Sequence, residues 1–297
     1  MLPAIPRRDA QSHKGTFGRG LVLGGCVGMA GAAAMCAEAA LRSGAGLITI
    51  GAPHSVVPVL AAKTTCPTTH PFAETEAGSF AAHALLEVID LLPGFTAVAL
   101  GPGIGRHPST CWFVLNVILK LGVPAVIDAD GLNSLATDID VLDRRHAPLI
   151  LTPLILTPLI LTPLILTPHP GEMARLAGIS PAAVQADRIG VAEAFAARHR
   201  AVLVLKGHGT VVTDGERTYV NTTGNPGMAT GGAGDVLTGV ILGLLCQQFD
   251  PFAAAQLGAY IHGLAGDIAA RTKGELAMIA TDILDALPEA FRQHCGK

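Results

Sequence analysis

A chain of 297 residues, 50% of them hydrophobic and with a formal net charge of −3, has material for one large buried core and carries no basic block. That balance speaks against a nucleic-acid partner or an anionic membrane surface. The six cysteines (Cys26, Cys36, Cys66, Cys111, Cys246, Cys295) show no Cys-x-x-Cys and no zinc-finger spacing, which predicts reduced thiols in a cytosol, each acting as a small core hydrophobe.

In chain order, Met1 to Lys14 has no apolar region followed by a small-residue cleavage site, so no signal peptide is read. Gly20 to Ala37 is uncharged, but its Gly/Ala content suits a strand, a loop and a buried helix better than a lipid-facing span. A strand is expected over Gly20 to Leu23, a glycine loop from Gly24 to Gly31, a helix over Ala32 to Arg42 and a second strand over Leu47 to Ile50. Further buried strands are expected at Thr96 to Leu100, leading into Gly101-Pro102-Gly103-Ile104-Gly105, and at Val123 to Ile127, leading into Asp128-Ala129-Asp130. Strands that each feed a polar or glycine-rich edge and then a helix predict an α/β domain with a mostly parallel sheet and a ligand crevice at the carboxyl ends of the strands.

Leu149 to Pro168 holds four identical tandem copies of Leu-Ile-Leu-Thr-Pro. Proline at every fifth position forbids a continuous helix or central strand. An odd period would also turn successive copies to opposite sheet faces. One copy, expected to be the last because it must deliver His169 and the turn after it, is read as a strand; about three copies are read as an insertion from duplication, bulging from the surface or lying along it. His169-Pro170-Gly171-Glu172 then opens an amphipathic helix, with His169 readable as a structural hydrogen-bonder or as part of the site. Arg188 to Arg200 reads as a helix and Val202 to Leu205 as a strand ending in Lys206-Gly207-His208-Gly209-Thr210. A hairpin turns at Asp214-Gly215. Helices are expected over Val236 to Gln248, Phe252 to Arg271 and Asp282 to Arg292, the last capped by Thr281.

Asn221 to Gly243 is the stretch that organises the chain, a glycine-rich loop running into an apolar helix near Gly234. Gly231, Gly232, Ala233 and Gly234 can aim several backbone N–H groups at one point, and the helix dipole adds to them, which makes an anion hole. Asp235 beside such a hole reads either as a helix cap or as a base that takes a proton from an attacking hydroxyl. The run of small residues favours the base. No P-loop, dinucleotide or nucleophile-elbow fingerprint is present, so phosphate binding must rest on this loop.

These pieces together, from His13-Lys14-Gly15 through Gly101 to Gly105, Asp128 to Asn133, Thr167 to Glu172, Lys206 to Thr210 and Gly224 to Asp235, resemble the ADP-dependent (S)-NAD(P)H-hydrate dehydratase family over essentially the whole chain. The resemblance implies a single ribokinase-like domain over 1–297, three-layered α/β/α, without an epimerase domain. It implies dehydration of the S epimer of hydrated NADH or NADPH, by phosphorylation of the ring hydroxyl from ADP and elimination of phosphate, leaving AMP. Asp235 would be the base and Gly231 to Gly234 the phosphoryl donors. Lys206, Gly207, His208, Gly209, Thr210 and Gly234 would contact the nucleotide, while Ala32 or Ala33, Gly103 or Gly105, His169, Asn225 and Asp235 would line the hydrate pocket. Mg²⁺ is expected on the nucleotide phosphates with no metal ligands assigned on the protein; Asp128 and Asp130 read either as metal-linked or as orienting the neighbouring loops, with the second favoured. The family also implies a cytoplasmic homo-oligomer, a tetramer, with epimerase activity from a separate protein. Two other readings stand beside it: a kinase of the same fold acting on a hydroxymethylpyrimidine- or hydroxyethylthiazole-type alcohol, and a nucleotide-binding regulator in which the repeat has displaced His169.

Overall fold

The computed structural model describes residues 1–145 and 162–296. Most of the expected insertion, including the first two repeat copies, falls on 146–161 and lies outside the described residues.

Short runs of mostly aliphatic residues, buried along almost their whole length, form the inner strands of one sheet, β1 (Arg19–Leu23), β2 (Leu47–Pro53), β4 (Ala97–Leu100), β5 (Ala125–Ile127), β6 (Leu164–Leu166) and β7 (Val202–Leu205), and the more polar, only partly buried β3 (Thr68–Phe72) lies at its edge. All seven run parallel, and the six inner ones are covered on both faces. The hairpin β8 (Val211–Thr213) and β9 (Thr218–Val220) completes the sheet antiparallel, giving the order β3-β2-β1-β4-β5-β6-β7-β8-β9. β6 is the last repeat copy, and it pairs with β5 through Leu164↔Ala125 and with β7 through Ile165↔Val202. Two expectations need adjusting here. β3 was not foreseen, and the last helix is capped by the Asp282 carboxylate on the Ile279 amide (2.9 Å) rather than by Thr281, which sits one residue inside it.

Helices cover both faces. On one side lie α1 (Ala30–Arg42), α2 (Val57–Lys63), α10 (Ala233–Cys246), α11 (Pro251–Lys273) and α12 (Ala280–His294). On the other lie α3 (Ala84–Leu91), α4 (Pro108–Lys120), α5 (Asp130–Leu135), α6 (Val141–Arg144), α7 (Pro170–Ala177), α8 (Pro181–Ala186) and α9 (Arg188–His199). The result is the three-layer α/β/α arrangement. α10 is apolar nearly all round because it is buried nearly all round. A β-carbon on its Gly239 would meet the Cys36 carbonyl at 2.1 Å, so the alanine-rich α1 and α10 touch backbone to backbone. Each large aliphatic side chain buried there contributes roughly 1.5–3 kcal/mol. That contact fixes the start of α10 over the sheet.

Of the six cysteines, Cys26, Cys36 and Cys246 are core residues as expected, whereas Cys66 and Cys295 are exposed. No described helix is long and apolar enough to cross a membrane.

Candidate active site

The strand order reverses between β1 and β4, which leaves a crevice at their carboxyl ends. The loops leaving the two strands are stitched across it, with the Gly25 amide donating to the Pro102 carbonyl at 2.8 Å and the Gly101 amide to Leu23 at 3.0 Å. Gly103 and Gly105 have positive φ (62° and 84°), so both make tight turns. A β-carbon on Gly103 would stand 2.6 Å from the Met29 carbonyl and 3.0 Å from Ala32. Ala32 is half-buried against this loop. Ala33 is fully buried and packs under Gly24 and Gly25, so of the two candidate alanines only Ala32 keeps exposed surface.

The loop Gly224 to Gly232 is pinned from behind. Asp267 on α11 accepts from the Gly224 amide (2.9 Å) and from Asn225 Nδ2 (3.0 Å), while Asn225 Oδ1 accepts from the Gly227 amide (3.0 Å). The Asn225 side chain is therefore engaged in holding the loop. α10 begins at Ala233, with Gly232 as its N-cap at φ 94° and no side-chain cap. Asp235 is thus the third helical residue, not the cap. The Ala233 amide reaches Thr230 O at 3.4 Å, and the Val236 amide reaches Gly232 O at 3.2 Å. The amides of Gly231, Gly232, Gly234 and Asp235 find no acceptor among the described residues. Those are the donors an anion would complete.

A buried polar knot lies behind Asp235. Asp128, at the end of β5 and 1% exposed, accepts from Lys206 Nζ at 2.7 Å and from Thr238 Oγ1 at 2.7 Å. Glu172 Oε2 lies 3.9 Å from the same Lys206 Nζ. Burial disfavours the Lys206 charge, but Asp128 and Glu172 outweigh it and the ammonium titrates above its ordinary value. Burial pushes the Glu172 carboxyl up, partly opposed by Lys206. For Asp235, burial first and the Asp128 charge second raise the carboxyl to about 7, with Lys206 working the other way. The Lys206 side chain is committed to these carboxylates.

His169 caps α7. Its Nδ1 accepts from the Gly171 and Glu172 amides (3.0 and 3.3 Å), and the Glu172 carboxylate answers by accepting from the His169 amide at 2.8 Å. The ring is about half exposed at the same sheet edge. Burial and the Lys206 and Arg175 charges lower its pKa, so it is neutral at pH 7 with its proton on Nε2. The repeat has not displaced it: β6 delivers Thr167, Pro168 and His169 to the edge between β5 and β7. The loop Lys206 to Thr210 follows β7 at that edge, and Arg188 on α9 stiffens it by donating to the carbonyl of Leu205 at 3.0 Å and to those of Lys206 and Gly209 at 3.4 Å. By contrast His13-Lys14-Gly15 lies at the amino ends of β1 and β2, where the Lys14 carbonyl packs on Gly46, away from the crevice.

Sequence reading passed over Thr238, Arg188 and His262. Thr238 is one helical turn beyond Asp235, a signal that was available. Among the described residues the buried Nε2 of His262 on α11 has no hydrogen-bond partner, and burial and Lys206 push the ring down to about 4 despite the Ala233 backbone, so it is uncharged. Asp130 turns away from the knot, accepting from Asn133 Nδ2 at 2.9 Å.

The chain matches the NAD(P)H-hydrate dehydratase family model over residues 20–156 and 157–289. It is 34% identical to the ADP-dependent (S)-NAD(P)H-hydrate dehydratase of Bacillus subtilis, over 97% of this chain and 94% of that one. It is 48% identical to the bifunctional NAD(P)H-hydrate repair enzyme Nnr of Moorella thermoacetica, over 97% of this chain but 52% of that protein. The chain spans about half the length of such bifunctional relatives. Among solved structures, the ADP/ATP-dependent NAD(P)H-hydrate dehydratase of Bacillus subtilis co-crystallized with ATP/Mg²⁺ superimposes with a TM-score of 0.79 at 32% identity, covering 98% of this chain and 95% of that one. A ribokinase-like superfamily protein from Enterococcus faecalis V583 gives 0.80 at 26% identity, covering 99% of this chain and 93% of that one. The fold is ribokinase-like, and with the glycine loop, its aspartate and the crevice all accounted for, the chain belongs to the NAD(P)H-hydrate dehydratase family.

Proposed function

We propose that the protein dehydrates the S epimer of hydrated NADH or NADPH at the expense of ADP, releasing NAD(P)H, AMP and phosphate. The observation that carries this reading is the Asp235 carboxyl, raised to about 7 and set in the first turn of α10 directly after a run of uncommitted amides. A base with that pKa divides its population between both protonation states near neutrality, which suits proton transfer in both directions.

In this reading the ring hydroxyl of the hydrate gives its proton to Asp235 while its oxygen attacks the β-phosphorus of ADP. The bond to the bridging oxygen breaks and AMP departs. The amides of Gly231, Gly232 and Gly234, with Ala233 between them, receive the charge on the moving phosphoryl group, already oriented before the reaction begins. Phosphate is then a far better leaving group than hydroxide, and its departure, with loss of a proton from the adjacent ring carbon to solvent, restores the dihydronicotinamide. Lys206 to Thr210 and Gly234 hold the nucleotide. Ala32, Gly103, Gly105 and His169 line the hydrate side, with His169 offering a neutral Nε2–H donor, and Asn225 acts by holding the loop.

Mg²⁺ fits this site as a companion of the nucleotide. Among the described residues no three potential ligands gather at one point, and both oxygens of Asp128 are engaged. Bound through ADP oxygens it would neutralise phosphate charge. The same reading places the protein in the cytoplasm as a homo-oligomer and assigns the epimerisation of the R hydrate to a region or protein outside these residues.

The test is incubation with hydrated NADH, ADP and Mg²⁺, with ATP and candidate vitamin-precursor alcohols in parallel. Recovery of dihydronicotinamide absorbance with stoichiometric AMP is the expected result. A stable phosphate ester on an alcohol, with no dehydration, would replace this reading by the kinase one.

A further inference from the structure

We propose that Asp128 is a positioning residue for phosphoryl transfer: one of its oxygens holds Lys206 at the end of β7, the other holds Thr238 on α10, and together they fix the helix face that carries Gly234 and Asp235. The inference rests on the proposed dehydratase function and deepens it.

Thr238 lies three residues after Asp235 and four after Gly234, so the three share one face of α10. Clamping Thr238 to the sheet therefore sets where Gly234 and Asp235 point. A β-carbon on Gly234 would be 3.3 Å from Lys206 Nζ and 3.6 Å from Asp128 Oδ2, so the ammonium and its carboxylate lie against the backbone of the anion loop itself. Lys206 would otherwise be free to swing toward solvent or toward Glu172, its second and more distant partner at 3.9 Å. The bond to Asp128, 2.7 Å long and made to a buried carboxylate, decides which.

The chain invests backbone strain in this arrangement. Ala129, the next residue, has φ 52° and ψ −123°, a region that favours glycine. That turn sends Asp128 into the knot and Asp130 away to Asn133. Four elements meet at the Asp128 carboxylate or its partners: β5, β7, α7 through Glu172 and α10. A carboxylate with merely structural duties has no need of a strained neighbour at the mouth of the crevice.

The groups facing Asp235 and Lys206 are Asp128 from β5, Cys36 from α1, Glu172 and His169 from the start of α7, and His262 from α11. Of these, Asp128 is the negative charge that holds back ionisation of Asp235. Asp128→Asn should therefore lower kcat for ADP-dependent dehydration at least tenfold, and should move the acid limb of kcat/KM toward lower pH. Thr238→Val, which cuts the α10 bond without touching charge, should lower kcat severalfold while leaving ADP affinity and the acid limb in place. A role confined to stability would lower the melting temperature of both variants while leaving the turnover of folded Thr238→Val at the wild-type rate. The inference is overturned if Asp128→Asn keeps both wild-type turnover and the wild-type limb. It is overturned too, even should that variant not fold, if Thr238→Val turns over at the wild-type rate. Absence of ADP-dependent dehydration in the wild-type protein would instead remove the functional reading, and this inference with it.

Discussion

Met35 Cε on α1 stands 2.5 Å from the point where a β-carbon on Gly232 would be built, and Ala280 on α12 closes the other side at 3.0 Å. Gly232 also has φ 94°, so glycine is required there for both conformation and space. Gly231 differs: no atom of the described residues outside its chain neighbours lies within 4 Å of its would-be β-carbon, and its φ is not positive. Gly232→Val should push the loop off its path and weaken ADP binding about tenfold or more, roughly 1.4 kcal/mol or above. Gly231→Ala should keep both affinity and melting temperature. Titration calorimetry with ADP decides it: equal affinity for Gly232→Val and wild type would take the loop amides out of nucleotide binding.

Asp235→Asn should retain ADP affinity and lose turnover by on the order of a hundredfold or more. A wild-type base raised to about 7 also predicts that kcat/KM falls as pH drops below neutrality, a limb the variant cannot show. Stability carries the same signature with a definite sign. The folded state binds the proton more tightly than a chain with the ordinary value of 3.8, so this group's contribution is most favourable below 3.8 and is lost as pH rises toward about 7. Asp235→Asn should accordingly melt above wild type at pH 8, with the difference shrinking toward pH 4. Near-normal turnover in the variant would end the assignment of the base.

Ala129→Gly separates strain from chemistry. The positive φ of Ala129 costs about 1 kcal/mol that glycine would not incur, offset in part by the greater freedom of glycine in the unfolded chain. The expected net gain is at most about 1 kcal/mol, a rise in melting temperature of about 2 °C. Turnover should not improve with it, because the strained turn serves the placement of Asp128. Differential scanning calorimetry beside the dehydration assay measures both quantities, and a lower melting temperature would mean that the Ala129 methyl contributes more by packing than the turn costs.

Contacts local in sequence were legible, and those across the sheet were not. The glycine run before Asp235 announces an anion loop because four small residues exceed what a cap needs, and α10 begins within one residue of Gly234. The Asp214-Gly215 turn likewise places β8 against β9. The partner of Lys206 is 78 residues away, and Thr238 and Asp128 are 110 apart, so no spacing rule could join them. The choice between Ala32 and Ala33 depends on how α1 is rotated by its contact with α10, which periodicity in an all-alanine stretch does not encode. β3 was missed because Pro71 interrupts it. Proline is tolerated there since β3 is the sheet's edge strand.

The repeat offers a test of which residues the fold requires. Since the four copies are identical, removing 149–163 or 154–168 yields the same shortened chain, with one copy left to form β6 and lead into His169. The Arg145 guanidinium at the end of α6 donates to the Thr162 carbonyl at 2.8 Å, so the chain resumes within one side chain's reach of where α6 stops. In the shortened chain Ala147 and Pro148 would stand where Thr162 and Pro163 now precede the strand. Proline keeps its place before Leu-Ile-Leu. A shorter closed segment also costs less conformational entropy, by about 0.6 kcal/mol for each halving of its length. The shortened protein should therefore keep its dehydratase activity and melt at or slightly above the wild-type temperature. An unfolded product would show that the extra copies are needed to hold β6 between β5 and β7.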